Sequence, residues 1–391
     1  MRSRSRLAVT VVAATTVALA GACGTSDGGE DTAAPAGGSG EGYACGADEV
    51  TIGGLWAQSG PQAAYGKWFA NGAEMAVEAV NAEGGINGET RIRLQVQDTR
   101  ALPEPAVVAF QRMVSGGVQY ALTSFSSQTL ALAPIATKEQ IVLVNGGAQS
   151  DALGEQGPYL FNTIPLLRNE SAALAKKLRK DGVQTAAIIY TTDDGGEAAH
   201  RNFVEAFRAE GGKIVGEESA EFGGTDYRSQ LTKLRSSGAD VLVLGAFGQD
   251  SNNIISQTRE IGWDVPMANT SWVAIPAVLA NPAAEGLRLT TIPFEPGEEF
   301  KQAYQKKYGE APKNAFIGNY YDGVKIFAEA FAEVCDSGAK TVSGAALADA
   351  IRKIGTFDSI YGSKLKFEEG VASRPIEIAV IQGGQVKPAG A

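Results

Sequence analysis

The sequence predicts an α/β protein built from two lobes, each with a parallel β-sheet covered by helices on both faces. Strand and helix patterns alternate over residues 50–144, and the alternation restarts over residues 170–261. This order is typical of parallel sheets, because the helix between two strands returns the chain to the same edge. Strong helical patterns return near the C-terminus with too few strands for a third sheet, so we expect them to pack on the first lobe.

The first lobe is predicted from apolar runs for strands and from apolar residues three or four positions apart for helices. The helix predicted for Pro61 to Asn81 has this spacing, and Gly84-Gly85 follows its end. The strand predicted for Arg91 to Gln97 alternates between polar and apolar residues. The other elements are strands Val50 to Leu55, Val118 to Thr123 and Ile141 to Val144, and helices Pro105 to Val114 and Thr129 to Glu139.

The second lobe is predicted from the same two patterns, and the returning helices follow it. Its predicted helices are Glu170 to Lys180, Glu197 to Ala209, Tyr227 to Ser236 and Asn252 to Ile261. Its predicted strands are Thr185 to Tyr190, Lys213 to Gly216 and Val241 to Leu244. The later elements are helices Glu298 to Lys307, Phe316 to Val334 and Gly344 to Ile354, and a closing strand, Ile376 to Ile381.

Residues 1–22 are predicted to be a secretory signal peptide. Three arginines open the chain, the apolar run Leu7 to Ala20 follows, and small residues come next. The apolar run is too short to cross a bilayer as a helix. Leu19-Ala20-Gly21-Ala22 followed by Cys23 resembles a bacterial lipoprotein signal, in which the cysteine receives lipid and becomes the new N-terminus. Ordinary cleavage after Ala20 or Ala22 is the alternative.

Residues 23–48 are predicted to be a lipidated cysteine and a flexible tether. From Gly24 to Gly42 the chain consists largely of Gly, Ser, Ala and acidic residues, so it cannot bury enough apolar surface to fold. A tether after a lipid-bearing cysteine lets a domain sit clear of a membrane. We therefore expect an exported protein that is anchored to the outer face of the cell membrane.

The charge of the chain argues against nucleic acid as a partner. Its formal net charge is −10, and removal of the signal takes away three arginines and no acid, which gives −13. An acidic surface repels nucleic-acid phosphates and anionic lipid headgroups. No segment after the signal has the roughly 18 uninterrupted apolar residues of a membrane helix. We therefore expect membrane contact through the lipid anchor alone.

Two cysteines, Cys45 and Cys335, remain once Cys23 is assigned to lipid. Disulfides persist in exported proteins, so we predict a bond between the two, with a pair of free thiols as the alternative. Cys45 lies just before the first predicted strand, and Cys335 follows the long helix predicted for Phe316 to Val334.

Catalytic motifs are weak in this sequence. His200 is the only histidine and cannot supply a metal cluster by itself. The string Gly24-Thr25-Ser26-Asp27-Gly28 matches G-x-S-x-G, but it lies in the tether with no strand before it. Ser363 and Lys366 match S-x-x-K in a predicted turn. We therefore expect a protein that is not an enzyme and that holds no metal or cofactor.

Polar loops after strands are the candidate binding elements, because ligands of parallel sheets sit at the carboxyl ends of strands. Hydroxyls and unpaired backbone N–H groups at helix starts suit a carboxylate or another polar head. The aromatic residues Trp56, Tyr65, Phe125 and Phe247 would exclude water. Helix capping for each serine and core packing for each aromatic are the alternatives. The loops are Trp56 to Gly66, Ser124 to Thr129, Asn145 to Asp151 and Phe247 to Asn252.

An ordered series of short motifs covers nearly the whole chain after Ala47. The motifs are Ile52-Gly53-Gly54-Leu55, Ser59-Gly60-Pro61, Tyr65-Gly66, Gly72-Ala73-Glu74, Asn81-Ala82-Glu83-Gly84-Gly85-Ile86-Asn87-Gly88, Asp98, Asp226-Tyr227, Ala284-Glu285-Gly286 and Tyr321-Asp322-Gly323. In this order they resemble the branched-chain amino-acid-binding receptors of bacterial ABC importers. Each motif alone is weak, and the series is specific.

The resemblance implies the type I periplasmic binding fold, with two Rossmann-like lobes joined by three crossovers. We expect residues 49–163 and 291–358 in lobe 1, and residues 164–290 and 359–391 in lobe 2. The resemblance also implies a monomeric receptor that closes on a small polar ligand and delivers it to the permease of an ABC transporter.

Ligand contacts are carried over from the resemblance to Ser126, Ser127, Gly147, Gln149, Ser150, Asp194, Gly195, Phe247 and Thr270. The sequence departs from the family at three of these places, and one of them is Gln149, where a hydroxyl is usual. Amino-acid binders of the family commonly have an aromatic residue where Gly195 stands and an acid near Thr270 that pairs with the ligand's ammonium. The expected ligand is therefore an amino acid or a similar small polar metabolite.

Two other functions stay open on the sequence. A receptor that reports a ligand to a membrane signalling protein would use the same closing lobes. A cell-envelope hydrolase would require a nucleophile and a base, and no such pair is recognisable.

Overall fold

Two large β-sheets and a two-stranded one organise residues 42–389, the part of the chain that this computed structural model describes. The strands are β1 (Tyr43–Ala44), β2 (Glu49–Trp56), β3 (Arg91–Asp98), β4 (Tyr120–Thr123), β5 (Val142–Asn145), β6 (Leu160–Asn162), β7 (Thr185–Thr191), β8 (Lys213–Ala220), β9 (Val241–Gly245), β10 (Met267–Asn269), β11 (Arg288–Thr291), β12 (Thr341–Val342), β13 (Thr356–Asp358), β14 (Lys364–Glu368), β15 (Val371–Ala372), β16 (Glu377–Gln382) and β17 (Gln385–Pro388).

Helices cover both sheets. They are α1 (Ala63–Ala82), α2 (Pro103–Ser115), α3 (Ser126–Glu139), α4 (Leu167–Lys180), α5 (Asp194–Ala209), α6 (Arg228–Arg235), α7 (Gly248–Glu260), α8 (Pro276–Leu279), α9 (Glu298–Tyr308), α10 (Ala315–Asp336) and α11 (Gly344–Ile354). Among the residues described, no helix is long and apolar enough to span a membrane. The predicted signal peptide and Cys23 lie outside these residues.

Each lobe is built on one sheet. The first sheet has the order β13-β14-β15-β6-β5-β4-β2-β3, and the second has the order β17-β16-β11-β10-β9-β7-β8. Strands β2 to β6 pair in parallel, as do strands β7 to β11. Antiparallel strands extend each sheet at one edge, so the sheets are mixed rather than purely parallel. The predicted α/β class with two lobes is confirmed.

The chain passes between the lobes three times. The first crossover, residues 163–166, leads from β6 to α4, and the second, residues 292–297, leads from β11 to α9. The third, residues 373–376, leads from β15 to β16. Helix α10 packs on α1, as expected for the helices that return to the first lobe.

Two predicted boundaries were wrong. We placed residues 359–391 in lobe 2, but β14 and β15 pair within the first sheet, so the last crossover comes after Ala372. We also counted residues 43–48 as tether, but β1 pairs antiparallel with β12. In both cases the segment is too short for a reliable periodic pattern, and pairing with distant strands determines its structure.

Several helices begin earlier than predicted, and three of them carry polar residues of the predicted site. Helix α3 begins at Ser126 rather than Thr129, α5 at Asp194 rather than Glu197, and α7 at Gly248 rather than Asn252. The polar residues that we had placed in loops therefore form the first turns of these helices. This difference matters for the site, because the first four backbone N–H groups of a helix have no partner within it.

A buried ion pair ties the third crossover to the first lobe. Arg374 Nη2 lies 2.7 Å from Asp322 Oδ2, and both side chains are almost fully buried. The same guanidinium donates through Nε to the carbonyl of Thr163 in the first crossover, at 3.0 Å. It also stacks over the ring of Tyr361, 3.8 Å from the ring centroid. One arginine therefore joins two of the three crossovers to α10.

The predicted disulfide is present between Cys45 and Cys335. It joins the segment between β1 and β2 to the last turn of α10, across a sequence separation of 290 residues. Tyr43 packs edge-on against Phe327 of the same helix, with ring centroids 6.0 Å apart. The bond and this aromatic contact hold the N-terminal end of the folded region on the first lobe.

Replacing both Cys45 and Cys335 with alanine should lower the free energy of unfolding by about 2–5 kcal/mol, because the cross-link restricts the unfolded chain. Chemical denaturation of the oxidised protein and the double variant measures this difference. The wild-type protein treated with reductant should behave like the double variant. Equal stability of oxidised and reduced protein would contradict the prediction.

Candidate functional site

A cavity of about 210 Å³ lies between the two lobes, at the carboxyl ends of the parallel strands. Loops after β2, β3, β4 and β5 line it from the first lobe, and loops after β7, β8, β9 and β10 line it from the second. The volume is below the roughly 300–1,000 Å³ of sites for drug-sized ligands. A metabolite the size of an amino acid suits it.

Eight of the twelve predicted ligand-binding residues line this cavity. They are Phe125, Ser126, Ser127, Gly147, Gln149, Ser150, Gly195 and Phe247. Loops more than 120 residues apart in sequence therefore meet in one place. The four residues that do not line the cavity are Trp56, Tyr65, Asp194 and Thr270.

The start of α3 forms one wall. Phe125 precedes the helix with φ of 58°, a backbone conformation that non-glycine residues rarely adopt. The hydroxyl of Ser126 accepts a hydrogen bond from the backbone N–H of Ser150 at 3.3 Å, and that of Ser127 accepts one from the N–H of Asp194 across the cleft, also at 3.3 Å. Each hydroxyl keeps its own proton to donate, so together with the free N–H groups of the helix this wall suits an anion.

The loop after β5 is shaped by a buried asparagine. Asn145 Oδ1 accepts from the N–H groups of Gly147 and Ala148, at 3.1 and 2.7 Å. A β-carbon at position 147 would lie 2.8 Å from the ring of Phe69 and 2.9 Å from the hydroxyl of Tyr320. Glycine therefore allows the loop to pack this closely against Phe69 and Tyr320.

Gln149 lines the cavity, but its amide is fully used by the protein. Its Nε2 donates to the carbonyl of Pro165 at 2.8 Å and to Glu170 Oε1 at 2.6 Å, and its Oε1 accepts from the indole N–H of Trp272. Glu170 is itself buried and also accepts from the backbone N–H and hydroxyl of Ser271, both at 2.9 Å. The side chain of Gln149 therefore connects the lobes, and only its remaining surface faces the cavity.

Among the lining residues within the described range 42–389, Asp193 is the one with a charged side chain. It caps the N-terminus of α5, where it accepts from the N–H of Gly195 at 3.2 Å and from the hydroxyl of Thr191 at 2.6 Å. Burial raises the pKa of this carboxyl above its usual value, against the opposing effect of these bonds. The protein thus supplies no cation to a ligand here, and a ligand carboxylate would depend on hydroxyl and N–H donors.

Gly195 leaves room for Phe247. A β-carbon at position 195 would lie 2.9 Å from the ring of Phe247. The aromatic residue that the family commonly places at this position is therefore excluded, and an aromatic ring from the loop after β9 occupies the neighbouring space. The aromatic ring in this part of the cavity wall is therefore that of Phe247.

Tyr65 acts across the cleft rather than inside the cavity. Its hydroxyl accepts from the backbone N–H of Gly248 at 2.9 Å and donates to the carbonyl of Trp272, both in the second lobe. Its ring lies 4.9 Å from that of Trp272, centroid to centroid. Burial raises the pKa of Tyr65, so the hydroxyl keeps its proton and its donor role.

The other three residues that we had placed in the site have local roles. Trp56 is fully buried against Tyr320, with ring centroids 5.7 Å apart. Asp194 is exposed, and only its backbone N–H reaches across the cleft to Ser127. Thr270 is buried, and its backbone N–H donates to the side-chain oxygen of Asn269 at 2.7 Å.

Sequence reasoning missed several residues of the cavity. The most prominent are Gln62, Leu102, Phe222 and Trp272. Gln62 lay within a loop that we had singled out, but nothing in the local pattern distinguished its side chain. Trp272 follows β10, a three-residue strand that we did not predict. His200 lies outside the cavity, stacked on Tyr190 and 2.6 Å from Glu217. Over residues 42–389 no group of acidic, histidine or cysteine side chains is arranged to hold a metal.

Replacing Tyr65 with phenylalanine should favour the open arrangement of the lobes, because it leaves the N–H of Gly248 and the carbonyl of Trp272 without a partner. Two net hydrogen bonds correspond to about 1–3 kcal/mol. Small-angle scattering of the unliganded variant should show a larger radius of gyration. Tyr304→Phe is the matched control, because it removes a buried hydroxyl that bonds to Asn71 within the first lobe. Equal radii for wild type and Tyr65→Phe would contradict the prediction.

Known proteins resemble this chain over most of its length. The family model described as "Periplasmic binding protein" matches residues 49–385. A leucine-specific-binding protein from Salmonella typhimurium is 26% identical over 276 residues, which cover 69% of this chain and 71% of that protein.

Solved structures share the fold. The substrate-binding protein LivJ from Streptococcus pneumoniae, in complex with isoleucine, has a TM-score of 0.77 at 24% identity and covers 87% of this chain and 98% of its own. A solute-binding protein from R. palustris in complex with 4-hydroxybenzoate has a TM-score of 0.76 at 19% identity, with coverage of 88% and 96%. These relatives are binding proteins, which agrees with the expectation that this chain is not an enzyme. The chain belongs to the periplasmic binding protein family.

Proposed function

We propose that this protein is the extracytoplasmic solute-binding component of an ABC importer and that it captures a small organic acid, either an amino acid or an aromatic acid. The observation that carries the proposal is the cavity between the lobes, where the hydroxyls and N–H groups at the start of α3 face aromatic rings of the second lobe. A carboxylate would be held by donors rather than by a basic side chain.

The remaining lining supports an apolar body for the ligand. Phe125, Phe247 and Trp272 are aromatic, and Leu102, Pro103 and Leu167 are aliphatic. Apolar contact of this extent favours a side chain such as that of leucine or a benzene ring. Both kinds of ligand occur among the relatives, as isoleucine in one solved complex and 4-hydroxybenzoate in another.

Ligand capture would act through closure of the lobes. A ligand that contacts both walls binds the closed state better than the open state and shifts the population toward closure. The bonds from Tyr65, Gln149 and Ser127 to the second lobe hold that closed state. A permease that recognises the closed form would then receive the ligand from loaded receptors.

A calorimetric panel of leucine, isoleucine, benzoate and 4-hydroxybenzoate tests the proposal on the mature protein. At least one acid should bind, and at a hundredfold excess over its dissociation constant it should stabilise the fold by about 2.7 kcal/mol. Ser126→Ala and Ser127→Ala should each lower the affinity for that acid by a few-fold to about a hundredfold, because each removes a hydrogen bond to the charged carboxylate.

Ser171→Ala is the control for these variants, since it removes a buried hydroxyl of α4 that does not line the cavity. Its affinity should match that of the wild type. Failure of all four acids to bind, together with an empty mass spectrum of the purified protein, would reject the proposed ligand class. Unchanged affinity in both serine variants would show that the α3 wall does not hold the ligand.

We also propose that Cys23 carries lipid and anchors the receptor to the outer face of the cell membrane. The support is the apolar run before Cys23 and the Gly- and Ser-rich stretch after it. Cys23→Ala should move the protein from the membrane fraction to the medium or the soluble envelope fraction, as detected by immunoblotting. Cys335→Ala is the control, because it removes a cysteine of the folded region. A Cys23→Ala variant that stays with the membrane would contradict lipid anchoring.

A further inference from the structure

Gln62 carries a buried amide that has no hydrogen-bond partner in the described part of the protein. The residue is 2% exposed, and both Oε1 and Nε2 are unpaired. It lines the cavity between the lobes. Gln149, the other glutamine in the same wall, uses both ends of its amide in bonds to the protein. The two glutamines therefore differ in what remains available to a ligand.

An unpaired buried amide is unfavourable, because the group loses its bonds to water and gains none in return. The amide of Gln62 offers two donors and one acceptor side by side. A hydroxyl matches this pair, since its oxygen accepts from Nε2 while its proton goes to Oε1. A primary amide matches it in the same way, whereas an anion or a cation alone satisfies only one side.

The order of the strands places Gln62 between the α3 wall and the loop after β3. The first sheet runs β5-β4-β2-β3, and neighbouring strands lie about 4.8 Å apart. The α3 wall follows β4 and the Asn145 loop follows β5, whereas Gln62 follows β2. A ligand whose carboxylate lies against α3 therefore extends along the sheet edge toward Gln62 with its opposite end.

The loop after β3 completes this end of the cavity with apolar side chains. Arg100 and Ala101 have φ of 53° and 61°, two successive non-glycine residues in the left-handed region. Asp98 holds the turn by accepting from the N–H groups of Gln58 and Arg100 and from the hydroxyl of Ser59. Backbone strain of this kind persists where surrounding structure enforces it, often at a binding site. Here it presents Leu102 to the cavity.

The second lobe closes over the amide at Gly248. A β-carbon at that position would lie 2.3 Å from Oε1 of Gln62 and 3.2 Å from the ring of Tyr65. The absence of a side chain at the start of α7 therefore allows the lobes to meet with the amide between them. In this arrangement of the lobes Gln62 is removed from bulk water.

We propose that Gln62 is a specificity-determining residue that hydrogen-bonds a neutral hydroxyl or primary amide at the end of the ligand opposite its carboxylate. This inference rests on the proposed function, because it takes the acid to lie against α3. It narrows the substrate class from small organic acids in general to those with a distal neutral polar group. An acid without such a group leaves the amide unpaired on closure and binds the closed state less well.

Two pairs of probes that differ by one distal hydroxyl test the inference: benzoate with 4-hydroxybenzoate, and norvaline with 5-hydroxynorvaline. For whichever pair binds, the wild type should bind the hydroxylated acid with an affinity about 5- to 100-fold higher than that of its partner. This is the range expected when a buried polar group gains a hydrogen-bond partner. Gln62→Met, which keeps the length of the side chain without its amide, should abolish the preference. Calorimetry measures all four acids on both proteins.

Gln58→Met is the matched control, because Gln58 is exposed in the same loop, and it should keep the wild-type preference. Thermal unfolding of unliganded Gln62→Met should be unchanged or shifted upward, since no protein bond is lost. The role of Gln62 would be overturned if the wild type bound both members of a pair with equal affinity, or if the preference for the hydroxylated acid survived in Gln62→Met. The proposed function would stand in either case. Absence of binding by all four acids would reject the proposed function, and this inference with it.

Discussion

The two-lobed arrangement depends on a buried ion pair at the crossovers. The side chains of Arg374 and Asp322 are both removed from water, which costs desolvation energy. Their attraction offsets this cost only while each also keeps its other hydrogen bonds. Asp322 accepts from the hydroxyl of Ser359 at 2.6 Å, and Arg374 donates to Thr163. Removing one partner of such a pair typically costs about 3–5 kcal/mol. Because the pair joins two crossovers to α10, it fixes both connections against the first lobe.

Closure uses several of the residues that the sequence marked as ligand contacts. Tyr65 and Gln149 bond to the second lobe with their own polar atoms, and Ser127 accepts from the backbone of Asp194. A residue can therefore belong to a binding loop although its polar atoms already form hydrogen bonds to other parts of the protein. In the proposed mode of binding, the ligand would match the groups that the protein leaves free, which are the start of α3 and the amide of Gln62.

The cavity has little charge along its walls. The one charged lining residue, Asp193, has a pKa raised by burial and is committed to capping α5. The loss of an aromatic side chain at Gly195 is compensated by Phe247, whose ring occupies the space that a β-carbon would need. These two features keep the walls aromatic and leave carboxylate binding to neutral donors.

The α/β class, the two sheets, the returning helices and the candidate cysteine pair could be predicted from the sequence, because periodic burial and a limited choice of cysteines are visible along the chain. It also located most of the cavity loops, since polar residues after strands can be found locally. Only the tertiary structure decided the ends of the lobes and the roles of single side chains. The bond between Gln149 and Trp272 joins residues 123 positions apart. Whether an amide is paired or free depends on such distant partners, and this is why the unpaired amide of Gln62 emerged only from the folded chain.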